Sequence, residues 1–200
     1  MVRNLINKGD NVSVLNNIKS ILDELKELLT GVSEEEVENF KTAVISADRI
    51  FVAGAGRSLL MARSFAMRLM QTGFTSYVVG ETVTPAIRNG DLLIIASGSG
   101  ETSTLKVIAA NANKAGAKIA LLTSNPDSAI AKLSDCIVQI HTSTPKLEEK
   151  QSVTPSVQPG ASAFEQSVLL LCDALVIDLK PSDSVSDRNA ALMKLHANLE

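Results

Sequence analysis

Two hundred residues with 45% hydrophobic side chains suit one domain with a sizeable core, or a domain with a helical extension, and exclude a disordered chain. Nineteen basic against 22 acidic residues give a net charge of −3, the wrong sign for a generic nucleic-acid binder, and aromatics at 3% offer little for stacking on single strands. No apolar run nears the roughly 20 residues of a membrane helix, and the start MVRNLINKGDN carries no signal-peptide core. Cys136, Cys172 and two histidines match neither a zinc spacing nor a disulfide framework. The expectation is a cytoplasmic protein with no structural metal and no membrane partner.

Val14, Ile18, Ile21, Leu22, Leu25, Leu28 and Leu29 recur at helical spacing, and Thr30-Gly31 ends the run. Ser33 with Glu36 has capping-box spacing for a second helix over 34–47. Residues 1–48 carry five basic against nine acidic side chains, so this stretch reads as a helical arm packing on the domain or on another subunit, not as a DNA-binding helix pair. From residue 49 short apolar runs at 49–53, 76–79, 91–96, 118–123 and 136–141 alternate with helical patterns at about 58–72, 102–115 and 126–133. That alternation predicts βαβ units and a parallel sheet covered on both faces. Thr142 to Pro159, rich in Ser, Thr, Pro and Lys, reads as a loop; a long apolar helix over about 161–179, Pro181 and a short C-terminal helix follow.

Two loops stand out. The first predicted strand runs into Gly54-Ala55-Gly56-Arg57-Ser58, and the third into Ser97-Gly98-Ser99-Gly100-Glu101-Thr102. A strand, small residues and a helix start leave backbone N–H groups and hydroxyls around the positive end of a helix dipole, which suits a phosphate. Glycines also serve tight βα turns, and serines cap helices. Two such loops, with hydroxyls at Ser58, Ser97, Ser99 and Thr102, favour anion binding over turn chemistry alone. A dinucleotide fingerprint fails because Leu59 stands at its third glycine, and neither loop holds a P-loop lysine. In a 2-1-3-4-5 strand order the two strands would be neighbours, and both loops would flank the crevice at their C-terminal ends.

GAGRS and SGSGETS resemble the two loops of the SIS (sugar isomerase) domain. FAMRLMQTGF at 65–74, VVGETVTPAI at 78–87, SAFEQS at 162–167 and HANLE at 196–200 narrow this. Together they resemble the 6-phospho-3-hexuloisomerase family, which follows hexulose-phosphate synthase in the ribulose monophosphate route of formaldehyde fixation. The resemblance spans nearly the whole chain apart from 142–158. It implies an α/β fold: a flavodoxin-like, three-layer SIS domain with a five-stranded parallel sheet flanked by helices. The domain would cover 49–200, with the helical arm at 1–48. It further implies a phosphorylated ketohexose substrate, no cofactor, functional coupling to the synthase, and a homotetramer built as a dimer of dimers. The implied reaction converts D-arabino-hex-3-ulose 6-phosphate to D-fructose 6-phosphate through a cis-enediol. Two alternatives stand beside it: a non-catalytic sugar-phosphate sensor, and a related aldose–ketose isomerase acting, for example, on arabinose 5-phosphate.

Such a reaction needs a phosphate anchor, polar groups near the enediol oxygens and one base. The anchor candidates are Gly56, Arg57, Ser58, Ser97, Gly98, Ser99, Gly100, Glu101 and Thr102. Glu165 is the candidate base, opening the apolar helix after Pro159-Gly160, where a carboxylate is partly desolvated. Ser162-x-x-Glu165 is also a capping box, which would use Glu165 on the helix end instead. The family resemblance, whose Phe-Glu pair carries the proposed catalytic glutamate, favours catalysis. His196 in HANLE is the candidate for ring opening, from a neighbouring subunit, because histidine exchanges protons near neutral pH. Its competing role is to complement a helix C-terminus.

Overall fold

A computed structural model describes residues 13–142, 156–179 and 185–199. Two helices, α1 (Val14–Thr30) and α2 (Glu34–Ser46), precede β1 (Ile50–Gly54), α3 (Arg57–Gln71), β2 (Ser76–Val78) and β3 (Leu92–Ala96). Next come α4 (Ser103–Lys114), β4 (Lys118–Thr123), β5 (Cys136–Gln139), α5 (Ser162–Leu179) and α6 (Val185–Met193). The five strands form one sheet in the order β2-β1-β3-β4-β5, and every pairing is parallel.

Strand periodicity sends alternate residues to opposite faces, and each face has its own core. Ile50, Val52, Leu92, Ile94, Leu122 and Val138 pack with Phe40 and Val44 of α2, Phe65 and Leu69 of α3, and Phe164, Val168 and Cys172 of α5. The opposite set, Phe51, Ala53, Leu93, Ile95, Ile119 and Leu121, packs with Leu105, Ala109 and Ala112 of α4 and with Ile130. Full burial of both faces explains why the central strands read as continuous apolar runs. Burial also pushes the Cys172 thiol upward and the Cys136 thiol up to about 11, so neither is a ready nucleophile.

α1 lies on α5 and buries only Leu25; Val14, Leu15, Ile18 and Leu22 are exposed. At α2 the Ser33 hydroxyl accepts from the Glu36 N–H at 3.4 Å, as the capping box predicts. The Glu36 carboxylate does something else: it accepts from Gln139 N–H at 2.8 Å, covering a backbone donor on the edge strand β5. At the opposite end of the sheet Arg49 grips the buried Asp91 through Nε at 2.9 Å and Nη2 at 2.5 Å, tying the starts of β1 and β3.

One predicted helix is corrected. Residues 126–133 form turns and a single 3-10 turn at Ala131–Leu133. Asn125 Oδ1 accepts from Asp127 N–H, Ser128 Oγ accepts from Ala131 N–H, and Ile130 N–H is drawn to Gly100 O at 3.2 Å. These local and tertiary bonds outcompete the helical ladder. The segment read as a loop is described only at its two ends, and residues 143–155 lie outside the described residues, as do 180–184 with Pro181.

Candidate active site

β1 and β3 are neighbours whose connections leave on opposite faces, so a crevice opens at their C-terminal ends. A cavity of about 300 Å³ occupies it. Ala55 and Ser58 come from the β1–α3 turn, and Ala96, Ser97, Gly98, Ser99 and Thr102 from the β3–α4 loop. Leu105 closes the floor, and Ala161, Phe164 and Glu165 of the α5 start form the wall. Small side chains line most of this space, which leaves the backbone of both loops accessible from it.

The hydroxyls are arranged to donate. Ser97 Oγ accepts from Gly100 N–H at 3.2 Å and Ser99 Oγ from Glu101 N–H at 3.3 Å, which leaves each O–H proton for an occupant. Thr102 caps α4 without a side-chain bond to it, and Ser58 has no hydroxyl partner among the described residues. The N-termini of α3 and α4 meet at this cavity, and each leaves backbone N–H groups without intrahelical acceptors.

Glu165 is 7% exposed in the first turn of α5. Its carboxylate takes the Nε–H of Arg57, the first residue of α3, whose side chain stays 60% exposed. The Ser162 N–H that a capping box would occupy is bonded to Pro159 O at 3.3 Å. Glu165 is thus turned to a charged partner beside the cavity.

Other predicted residues sit elsewhere. Glu101 is turned away from the cavity: its carboxylate accepts from Ala129 N–H at 2.7 Å and pairs with Lys106 at 3.3 Å. The 125–130 turn thus gives the Glu101 carboxylate a backbone donor outside the cavity. Gly100 packs against Ser128, and Gly56 caps α3; neither lines the cavity, nor does Arg57. His196 is exposed, its Nδ1 3.0 Å from Ala197 O, and does not line the cavity of its own chain. Sequence reasoning missed the support from Asn125, whose Nδ2 donates to Ser99 O at 3.2 Å; the Asn-Pro-Asp-Ser turn signal at 125–128 was the available clue. Among the described residues no group of three or more His, Cys, Asp or Glu is placed to hold a metal, and no helix is long and apolar enough to cross a membrane.

The fold and cavity define a class, the doubly wound α/β protein with a ligand cavity at its topological switch point. A family model for the SIS domain matches residues 43–177. The chain is 42% identical to 3-hexulose-6-phosphate isomerase of Bacillus subtilis (strain 168), over 92% of its own length and 97% of that protein. It is 41% identical to the protein of the same name from Mycobacterium gastri, over 96% and 93% of the two lengths. A solved structure from Methanococcus jannaschii, described as inferring a 3-hexulose-6-phosphate isomerase function, superposes with a TM-score of 0.73. Its sequence identity is 27%, covering 92% of this chain and 99% of that one. The chain belongs to the SIS domain family and, within it, to the family of the 3-hexulose-6-phosphate isomerases.

Proposed function

We propose that the chain isomerises D-arabino-hex-3-ulose 6-phosphate to D-fructose 6-phosphate. The observation that carries this is a buried carboxylate, Glu165, sharing one small cavity with two hydroxyl-rich loops at helix N-termini. The names of the full-length relatives supply the substrate.

Ser58, Ser97, Ser99 and Thr102, with the backbone N–H groups of both loops, hold the phosphate; Gly98 lets the backbone come close. Glu165 then removes the proton from C2, leaving a cis-enediolate across C2 and C3; the O2 proton passes to O3, and Glu165 returns its proton to C3. The C3 carbonyl becomes a hydroxyl and the C2 hydroxyl a carbonyl, so no electrons enter or leave. Arg57 engages Glu165 through Nε and leaves its second carboxylate oxygen without a partner among the described residues, ready for the proton. Arg57 itself does not line the cavity, so its part in the reaction is to hold the Glu165 carboxylate in place.

The reading extends to a cytoplasmic homotetramer, a dimer of dimers working after a hexulose-phosphate synthase. Exposed Val14, Leu15, Ile18 and Leu22 on α1, Leu60, Met67 and Met70 on α3, and Leu170 and Ile177 on α5 support association, since burying large apolar side chains against another subunit is favourable. His196, exposed near the C-terminus, then reaches a neighbouring cavity to assist ring opening. The test is a coupled assay with ribulose 5-phosphate, formaldehyde and a hexulose-phosphate synthase, following fructose 6-phosphate. Incubation with fructose 6-phosphate in deuterium oxide should also label the sugar carbon; thermal stabilisation without label would mark a sensor instead.

A further inference from the structure

The wall that carries Glu165 is tied to the N-terminal helix by one pair of side chains. Gln158 is 7% exposed, and its amide Nε2 donates to the Glu24 carboxylate on α1 at 3.0 Å, across 134 residues of sequence. Its backbone N–H is held by Ser156 Oγ at 3.0 Å. From Gln158 the chain passes through Pro159 and Gly160 to Ala161, which lines the cavity and accepts the Glu165 N–H at 3.0 Å. Gly160 sits at φ +64, a backbone conformation that glycine adopts without strain, and is the pivot of a turn that the Ser162 N–H closes on Pro159 O at 3.3 Å. A buried amide bonded to a carboxylate is a charge-assisted anchor immediately before that pivot.

We propose that Glu24 is a positioning residue for the isomerisation, which rests on the function assigned above. Glu24 fixes Gln158, and through it the turn that sets the reach of Glu165 into the cavity. Loss of the anchor frees the 158–161 turn, whose Ala161 lines the cavity and accepts the Glu165 N–H, while α5 beyond it stays packed through Phe164 and Val168 and the phosphate loops stay on the interior strands β1 and β3. The effect therefore falls on turnover and spares phosphate binding.

Deuterium exchange from solvent into fructose 6-phosphate, read with competitive inhibition by inorganic phosphate and with thermal melting, tests this on the full chain. Glu24→Ala should lower kcat about tenfold or more, the scale of a misplaced catalytic group, with unchanged inhibition by phosphate. Glu24→Gln, which keeps an acceptor oxygen, should recover most of the loss. Gln158→Leu, which fills the buried site without a donor, should lower kcat while the melting temperature holds, and so keeps the test open if Glu24→Ala folds poorly. Wild-type kcat in folded Glu24→Ala or Gln158→Leu would overturn the proposal, as would Glu24→Gln falling as far as Glu24→Ala. A wild-type chain that exchanges no deuterium would overturn the isomerase reading itself and the positioning role with it.

Discussion

Arg57 donates its Nε–H to Glu165, joining the first residue of α3 to the first turn of α5 across 108 residues of sequence. The pair reconciles two demands that the role proposed for Glu165 makes on a carboxylate. It must be out of bulk water to be an effective base, and a buried charge must still have a partner. Glu165→Gln keeps the shape and removes the base, so kcat should fall by roughly 10²–10⁴ with substrate still bound. Arg57→Met should cost less in turnover and also lower the melting temperature, because it leaves the buried carboxylate without its donor. Steady-state kinetics and melting of both variants check this, and near-wild-type turnover of Glu165→Gln would refute its role.

The four cavity hydroxyls should act on binding. Alanine at Ser58, Ser97, Ser99 or Thr102 is expected to weaken substrate binding by roughly 1 kcal/mol or more each, since each substitution removes a bond to a charged group. Inhibition by inorganic phosphate should weaken in parallel. Unchanged KM and unchanged phosphate inhibition in all four would place the anchor elsewhere.

For His196 the expected signature is a division between assembly and turnover. His196→Ala should keep the sedimentation behaviour and melting temperature of the wild type, since the side chain is exposed and, among the described residues, bonded to its neighbour Ala197 alone. Turnover of substrate presented in its cyclic form should slow. Early melting with intact turnover per folded site would make the residue structural.

Acid should act through Asp91. Burial pushes this carboxyl upward, but the Arg49 guanidinium and the Arg88 N–H outweigh burial and hold it below the usual 3.8. A folded-state value below the unfolded one contributes stability that is fully present above about pH 4 and lost as pH falls through the folded value. Asp91→Asn should therefore melt earlier at neutral pH and lose less on acidification below about pH 4 than the wild type does. Melting curves at pH 7 and along an acid series give the comparison; parallel curves would argue against the pair.

Gly100→Ala is expected to be strongly destabilising. Its φ is +61, and a Cβ would fall 1.9 Å from Ser128 Oγ and 2.4 Å from Ser128 Cβ. Backbone strain alone costs of order 1–3 kcal/mol at such a position. Adding Ser128→Gly should recover the steric part and leave the backbone part, which denaturant unfolding of the single and double variants resolves.

The apolar periodicities and glycine loops of this chain determine its strands, most of its helices and the two candidate anion loops, because burial of a strand or helix face is written in residues close in sequence. The strand order that brings those loops together is decided by the tertiary structure. The spacing Ser33 to Glu36 predicts a cap, and the hydroxyl half of it forms. What that spacing leaves undetermined is where the carboxylate goes, and Glu36 goes to Gln139 on the far edge of the sheet. The same ambiguity in Ser162 to Glu165 is decided by Arg57, and Glu101 is drawn from the cavity by a turn whose Asn125 and Ser128 bonds dissolved a predicted helix. Glu24 and Gln158 carry no local pattern at all. A polar side chain satisfies itself with whatever donor or acceptor the packed chain brings within about 3 Å, and only the tertiary structure decides which that is.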